Sequence, residues 1–177
     1  MRDATVNLTL QGYNFLQSNV TNTPGFYVKT GSTLTISAAT TDDFLLVIGG
    51  LYAAGIGGGH SEQGGTVTIN SGRLELYGLN GGAGIGGGFY GDGGTVTING
   101  GEVNATGYTG AAGIGCGTTC RNGGTVTIHG GTVTASGSGY GAGIGLSYFS
   151  DKATKGTLTI TGGSILRTGN AILKINS

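Results

Sequence analysis

The sequence predicts an all-β fold, a right-handed parallel β-helix: a solenoid of about six coils, each of about 29 residues and three short strands. Two observations carry this expectation. The phrase AGIGGGFYGDGGTVTIN at 83–99 returns as AGIGGGHSEQGGTVTIN from 54, AGIGCGTTCRNGGTVTIH from 112 and AGIGLSYFSDKATKGTLTIT from 142. Its words also alternate. In GTVTIN, Val67 and Ile69 point one way and Thr66 and Thr68 the other, which is the two-residue period of a strand and not the rhythm of a helix.

Three markers per period give the three strands. The first is Gly25, Ala54, Ala83, Ala112, Ala142 and Ala171, at spacings of 29, 29, 29, 30 and 29 residues. The second is the Ile that closes each TVTI word, at Ile36, Ile69, Ile98, Ile128 and Ile160. The third is Val47, Leu76, Ala105 and Ala135, seven residues before the next Ala marker. Gly pairs between the words, such as 93–94 and 100–101, supply the corners where the chain must bend sharply. Parallel pairing of each strand with its copy in the next coil follows, and right-handedness from the general rule for parallel crossovers. A propeller blade would need about 40 residues and four antiparallel strands, and a leucine-rich repeat a Leu/Asn framework that is absent.

The whole of 1–177 reads as one β-helix domain, with 1–53 as irregular N-terminal coils, 54–165 as regular repeats and 166–177 as a last partial coil. Leu34, Val67, Val96, Val126 and Leu158, each with the Ile two residues on, are the expected core. Phe15, Phe26 and Tyr27 enlarge the first coil, and Arg167 replaces an inward Ala in the last. Unpaired end strands invite association, so flanking domains or further coils of a longer protein are expected.

The chain has 42 Gly and equal numbers of basic and acidic residues, 8 of each. That balance leaves no electrostatic footprint for nucleic acid. No apolar run is long enough for membrane insertion, and the opening MRDATVN lacks the regions of a signal peptide.

The words GGAGIGGG at 81–88 and GGTVTINGG at 93–101, with PGFYVKTGSTLTIS at 24–37, resemble the Gly-rich repeats of bacterial, especially clostridial, cell-surface proteins. They resemble a β-helical carbohydrate-binding family that includes a polygalacturonate-binding module. The resemblance covers about residues 24–165. It implies an extracellular or cell-surface, non-catalytic sugar-binding or adhesive role, with a polysaccharide or glycan as the partner and acidic sugars among the candidates. It implies no required cofactor, with calcium an option.

Variation between the repeats gathers at one corner. From the Ala marker to the first Thr the distance is 12, 12, 13 and 15 residues, against 8 from Gly25 to Thr33. Solenoids place insertions on a binding face, so this corner is the candidate ligand site. Six residues after each marker stand His60, Phe89, Thr118 and Tyr148, with Tyr90 and Phe149 adjacent. Rings in register suit stacking on sugar faces, and they equally suit packing back over Gly-rich backbone. Glu62, Asp92, Asn122 and Asp151, eight to ten residues after the markers, form a column of oxygen donors for calcium or are solvated surface groups. Cys116 and Cys120 are expected to form a local disulfide that pins one loop, in keeping with an extracellular setting. His129 is expected to be an outward polar side chain at a corner.

Two further classes stand beside binding. Thr33, Thr35, Thr66, Thr68, Thr95, Thr97, Thr125, Thr127, Thr157 and Thr159 form a two-column array on one face. It resembles the ice-binding face of insect antifreeze proteins, and Thr is also a good exposed strand residue. A polysaccharide-cleaving enzyme would need convergent carboxylates, for which only Asp42 and Asp43 offer themselves.

Overall fold

Inward Val, Ile and Leu at every second position, with Thr between them, build a three-sided solenoid in the computed structural model, which describes residues 3–147, 154 and 156–167. The first coil is β1 (Thr5–Leu10), β2 (Tyr13–Gln17) and β3 (Phe26–Tyr27). The second is β4 (Thr33–Ala38), β5 (Phe44–Leu51) and β6 (Ile56–Gly57). The third is β7 (Thr66–Ile69), β8 (Arg73–Leu79) and β9 (Ile85–Gly86). The fourth is β10 (Thr95–Ile98), β11 (Glu102–Gly107) and β12 (Ile114–Gly115). The fifth is β13 (Thr125–Ile128), β14 (Thr132–Gly137) and β15 (Ile144–Gly145), and β16 (Thr157–Ile160) and β17 (Ser164–Arg167) follow in the sixth.

All strand pairing is between coils and parallel. Sheet A runs β1-β4-β7-β10-β13-β16, sheet B β2-β5-β8-β11-β14-β17 and sheet C β3-β6-β9-β12-β15. The described residues thus complete five coils and two sides of a sixth, with no α-helix among them. Val96 stacks between Val67 and Val126, and Ile98 between Ile69 and Ile128. These residues, Leu74, Leu76, Val103 and the four Ile of sheet C form one continuous buried core. Register reaches back to Thr5, which pairs with Thr33 although its strand lacks the TVTI word.

One marker moves. Phe26 pairs with Ile56, so Pro24 and not Gly25 stands in the place of Ala54. The Ala nitrogen of later coils donates across its loop, Ala54 N to the Gly58 carbonyl at 3.1 Å and Ala83 N to that of Gly87 at 3.0 Å. Pro24 has no N–H to do this. The Val28 carbonyl, in the place of the Gly58 carbonyl, accepts instead the Gly65 N–H of the next coil, at 2.8 Å.

Corners between sheets A and B are held by side-chain ladders. Asn99 Nδ2 donates to Asn70 Oδ1 at 2.8 Å, and Asn70 Nδ2 to Ser37 Oγ at 3.1 Å. His129 continues the row as an exposed polar side chain, its Nδ1 2.8 Å from Thr161 Oγ1. Outside sheet B, Tyr13 stacks on Phe44 at 4.8 Å, the Arg73 guanidinium lies 5.6 Å from the Phe44 ring, and Arg73 Nε meets Glu102 Oε2 at 3.3 Å. Arg167 pairs with Ala135 as the sequence implies, its side chain lying outside the description.

Asp43 holds the longest of these corners together. It is 5 % exposed. Its Oδ1 accepts the Gly12 N–H from the coil below and its Oδ2 the Thr40 N–H, each at 2.6 Å. The Thr40 amide first, and then that of Gly12, hold the carboxyl below the usual carboxylate range. A folded state that binds the proton more weakly than the unfolded chain gains its full benefit above the unfolded pKa of about 4 and loses it as the pH falls through the lower folded value. Asp43→Ala is therefore expected to lower the urea midpoint at neutral pH, with a deficit relative to the parent that shrinks as the pH drops below about 4. A deficit independent of pH would mean that the carboxylate charge is not what binds the corner.

Candidate functional site

The corner between sheets C and A carries the variable loops, and two of them are built on a four-residue turn. Glu62 N donates to the Gly59 carbonyl at 3.0 Å, and Gly91 N to that of Gly88 at 2.6 Å. The third residue of each has positive φ, Ser61 at 62° and Tyr90 at 62°, as does Thr119 in the next coil at 64°. Turns of this kind usually give that position to Gly or Asn. A bulky Tyr there is an outlier that the surroundings must support.

Cross-coil bonds put His60, Phe89 and Thr118 in one column. Ser61 N donates to the Phe89 carbonyl at 2.7 Å, and Tyr90 N to that of Thr118 at 2.9 Å. His60 and Phe89 stack with centroids 5.8 Å apart and planes 21° from parallel. Tyr90 stands edge-on to Phe89 at 4.2 Å and to His60 at 5.7 Å. Phe89 lies back over Gly81, whose missing Cβ leaves room for the ring. Tyr90 is 52 % exposed. The packing and display readings thus divide between neighbouring residues. Thr118, 3 % exposed, donates through Oγ1 to the Thr109 carbonyl at 2.7 Å and is the last described member of the column. Tyr148 and Phe149 lie outside the described residues.

A fourth ring joins from the opposite corner. Tyr52, at φ 66° in the turn between sheets B and C, sits 5.7 Å from Phe89 and 6.0 Å from His60. It is brought there because the strands of sheet C are two residues long, so the corners on either side of it touch. In the later coils the matching turn residues are Gly81, Gly110 and Tyr140, so the residue type at this place gives no sequence signal of the cluster.

The oxygen donors do not form the expected column. Gly64 N donates to the Asp92 carbonyl at 3.2 Å and Gly93 N to that of Asn122 at 2.9 Å, which places Gln63, not Glu62, level with Asp92. Asn122 pairs with Thr154 in the next coil, so the longer loop carries the row three residues past Asp151, itself outside the description. The side chains brace backbone. Glu62 Oε2 accepts the Gly59 N–H at 3.0 Å and its Oε1 the Tyr27 hydroxyl at 2.8 Å. Burial, and then this carboxylate, push the Tyr27 phenol pKa up. Asp92 Oδ1 accepts the N–H groups of Arg121 at 2.7 Å and Asn122 at 2.9 Å, and Asn122 Oδ1 that of Gly124 at 2.9 Å. Among the described residues no three His, Cys, Asp or Glu side chains converge as a metal site.

Cys116 and Cys120 are joined as a disulfide, with Cα atoms 5.9 Å apart. Cys116 occupies the place of Gly58 and Gly87, where a Cβ would strike the loop carbonyls of Glu62 or of Gly91 and Asp92. One extra residue in the fourth loop opens that space. Cys116, Cys120 and Leu146 fill it as a small apolar cluster apart from the main core.

The Thr columns are in register across sheet A, Thr5-Thr33-Thr66-Thr95-Thr125-Thr157 and Asn7-Thr35-Thr68-Thr97-Thr127-Thr159. All point outward, exposed or half-buried.

The beta helix repeat family model matches residues 96–118 and 126–148. Each match runs from a sheet A strand through sheets B and C, most of one coil. This is a β-helical repeat protein. Comparison with curated proteins and with solved structures gives no match.

Proposed function

We propose that this β-helical protein is a non-catalytic carbohydrate-binding or adhesive module that works outside the cell and holds a glycan strand across the corner between sheets C and A. The observation that carries the reading is the cluster of Tyr52, His60, Phe89 and Tyr90, four rings drawn from two successive coils and two corners. Phe89 anchors it on Gly81, while Tyr52 and Tyr90 keep 38 % and 52 % of their surfaces free. Rigid amphipathic rings of this kind offer a sugar ring a flat apolar face and a phenol to bond its hydroxyls. Tyr90 keeps its side chain at positive φ, a cost that binding would explain. The Cys116–Cys120 disulfide suits an oxidising compartment. The resemblance to β-helical sugar-binding surface repeats points the same way. The Thr array, by contrast, is accounted for by cross-strand Thr stacking that stabilises sheet A itself.

Affinity electrophoresis through gels containing neutral or acidic polysaccharides, with and without calcium, tests this. In the gel that retards the parent, Tyr52→Ala and Tyr90→Ala are each expected to weaken retention about fivefold. Tyr90→Gly should do the same without loss of thermal stability, since it relieves the positive φ. Parent-like retention by all three variants would remove the rings from the binding surface.

A further inference from the structure

The turn between sheets B and C forms a second feature beside the rings, an open groove of about 470 Å³ lined by Ile48, Tyr77, Leu79, Asn80, Tyr108 and Thr109. Ile48 and Tyr77 are partners on the outer face of sheet B, and Leu79 and Tyr108 begin the turns that follow β8 and β11. The volume falls in the range of ordinary small-ligand sites. We propose that this groove is a sugar subsite that receives an uncharged stretch of the same glycan strand held by the ring cluster, a proposal that rests on the sugar-binding reading of that cluster.

Its chemistry is that of a sugar's two faces. Tyr77 and Tyr108 supply apolar ring surface, with Tyr108 43 % exposed. The Asn80 amide, the Thr109 hydroxyl and the Tyr108 phenol have no side-chain hydrogen bond within the described residues, so the rim offers donors and acceptors that water alone now satisfies. No lining residue is charged. Beside it the Glu75 carboxylate accepts the Tyr77 hydroxyl at 3.3 Å and would repel an acidic sugar.

Thr109 marks the groove as more than a packing defect. Its φ is 56°, at the position where the neighbouring coils place Asn80 at 48° and Gly139 at 61°. Asn and Gly are the residues such turns favour, and a β-branched residue there is strained. The groove also adjoins the rings. Phe89 covers Gly81, the residue after Asn80, and Thr118 of the ring column is bonded to the Thr109 carbonyl at 2.7 Å. A strand crossing the rings and continuing past Gly81 would reach the groove.

The test uses the full chain in gels of a neutral polysaccharide and of a polyuronate, together with a short and a long neutral oligosaccharide of one sugar. Tyr108→Ala is expected to weaken retention by the neutral gel about fivefold and Thr109→Gly about threefold. Thr109→Gly should at the same time keep or raise the thermal midpoint, which a purely structural role would not combine with weaker binding. Both variants should lose affinity for the long oligosaccharide and not the short one, whereas Tyr90→Ala should lose both. Parent-like binding by Tyr108→Ala and Thr109→Gly, with loss in Tyr90→Ala, overturns the groove and leaves the ring reading standing. Loss in the groove variants alone overturns the ring reading and with it the shared strand. Preference of the groove for the polyuronate overturns the uncharged assignment. Self-association of the parent that Tyr108→Ala abolishes assigns the groove to a second copy and overturns the proposal.

Discussion

Val96→Asp is expected to cost about 4 kcal/mol or more of folding stability, and Thr97→Asp about 1 kcal/mol, although the two residues are adjacent in β10. Val96 is 2 % exposed and sits between Val67 and Val126 in an interior lined by aliphatic side chains. A carboxylate there would have no partner, and the core offers no polar group to receive it. The Thr97 side chain points to the outer face between Thr68 and Thr127, where an added charge keeps its water and loses only strand propensity and cross-strand packing. Urea unfolding at neutral pH followed by far-ultraviolet circular dichroism checks the pair. Equal midpoints for the two variants would show that the alternation does not divide inside from outside in this coil.

That alternation is why the fold was legible. Each TVTI word carries its own in/out code, and the words recur at nearly constant spacing, so pairing of Val67, Val96 and Val126 could be read without knowing the corners. Where the code is missing, counting fails. Thr5–Leu10 belongs to sheet A, but it has Asn7 in place of the second Thr and no Gly pair before it, so its register emerges only in the folded chain. Gly25 was the natural marker by spacing, and the structure replaces it with Pro24 because the path from Ile36 to Phe44 is four residues longer than that from Ile69 to Arg73, which outweighs the short first loop. The oxygen donors fell out of line for a different reason. Glu62 and Asp92 sit in loops of equal length but stand eight and nine residues after their markers, so Glu62 is one step out of line. The insertion that admits Cys116 carries Asn122, ten residues on, level with Asp92. The ring column survived because His60, Phe89 and Thr118 precede the insertion. Tyr52 was not legible, since it reaches the site from a different corner, and only the two-residue width of sheet C brings those corners together.

Gly86→Ala is expected to be among the most damaging single methyl additions in the chain, at roughly 3 kcal/mol or more, while Gly139→Ala should cost about 1 kcal/mol. Both glycines have positive φ, but 61° lies in the left-handed region that Ala can enter at modest cost and 134° lies far outside it. Their surroundings separate them further. A Cβ on Gly86 would overlap the carbonyl oxygen of Gly115 in the next coil, the same oxygen that accepts the Gly87 N–H at 3.0 Å. Relief would require β9 and β12 to move apart, opening the bonds that join these coils in sheet C and loosening the Ile85–Ile114 contact beneath them. A Cβ on Gly139 would find only the Gly110 nitrogen, at 3.9 Å, and would pay the left-handed conformation alone. Because Gly86 lies just before Phe89, its substitution should also disorder the ring cluster and abolish glycan retention at temperatures where the rest of the solenoid is folded. Thermal unfolding monitored alongside affinity electrophoresis measures both effects. Equal midpoints for Gly86→Ala and Gly139→Ala would mean that sheet C is not packed backbone against backbone, and that its slenderness is not what brings Tyr52 to His60 and Phe89.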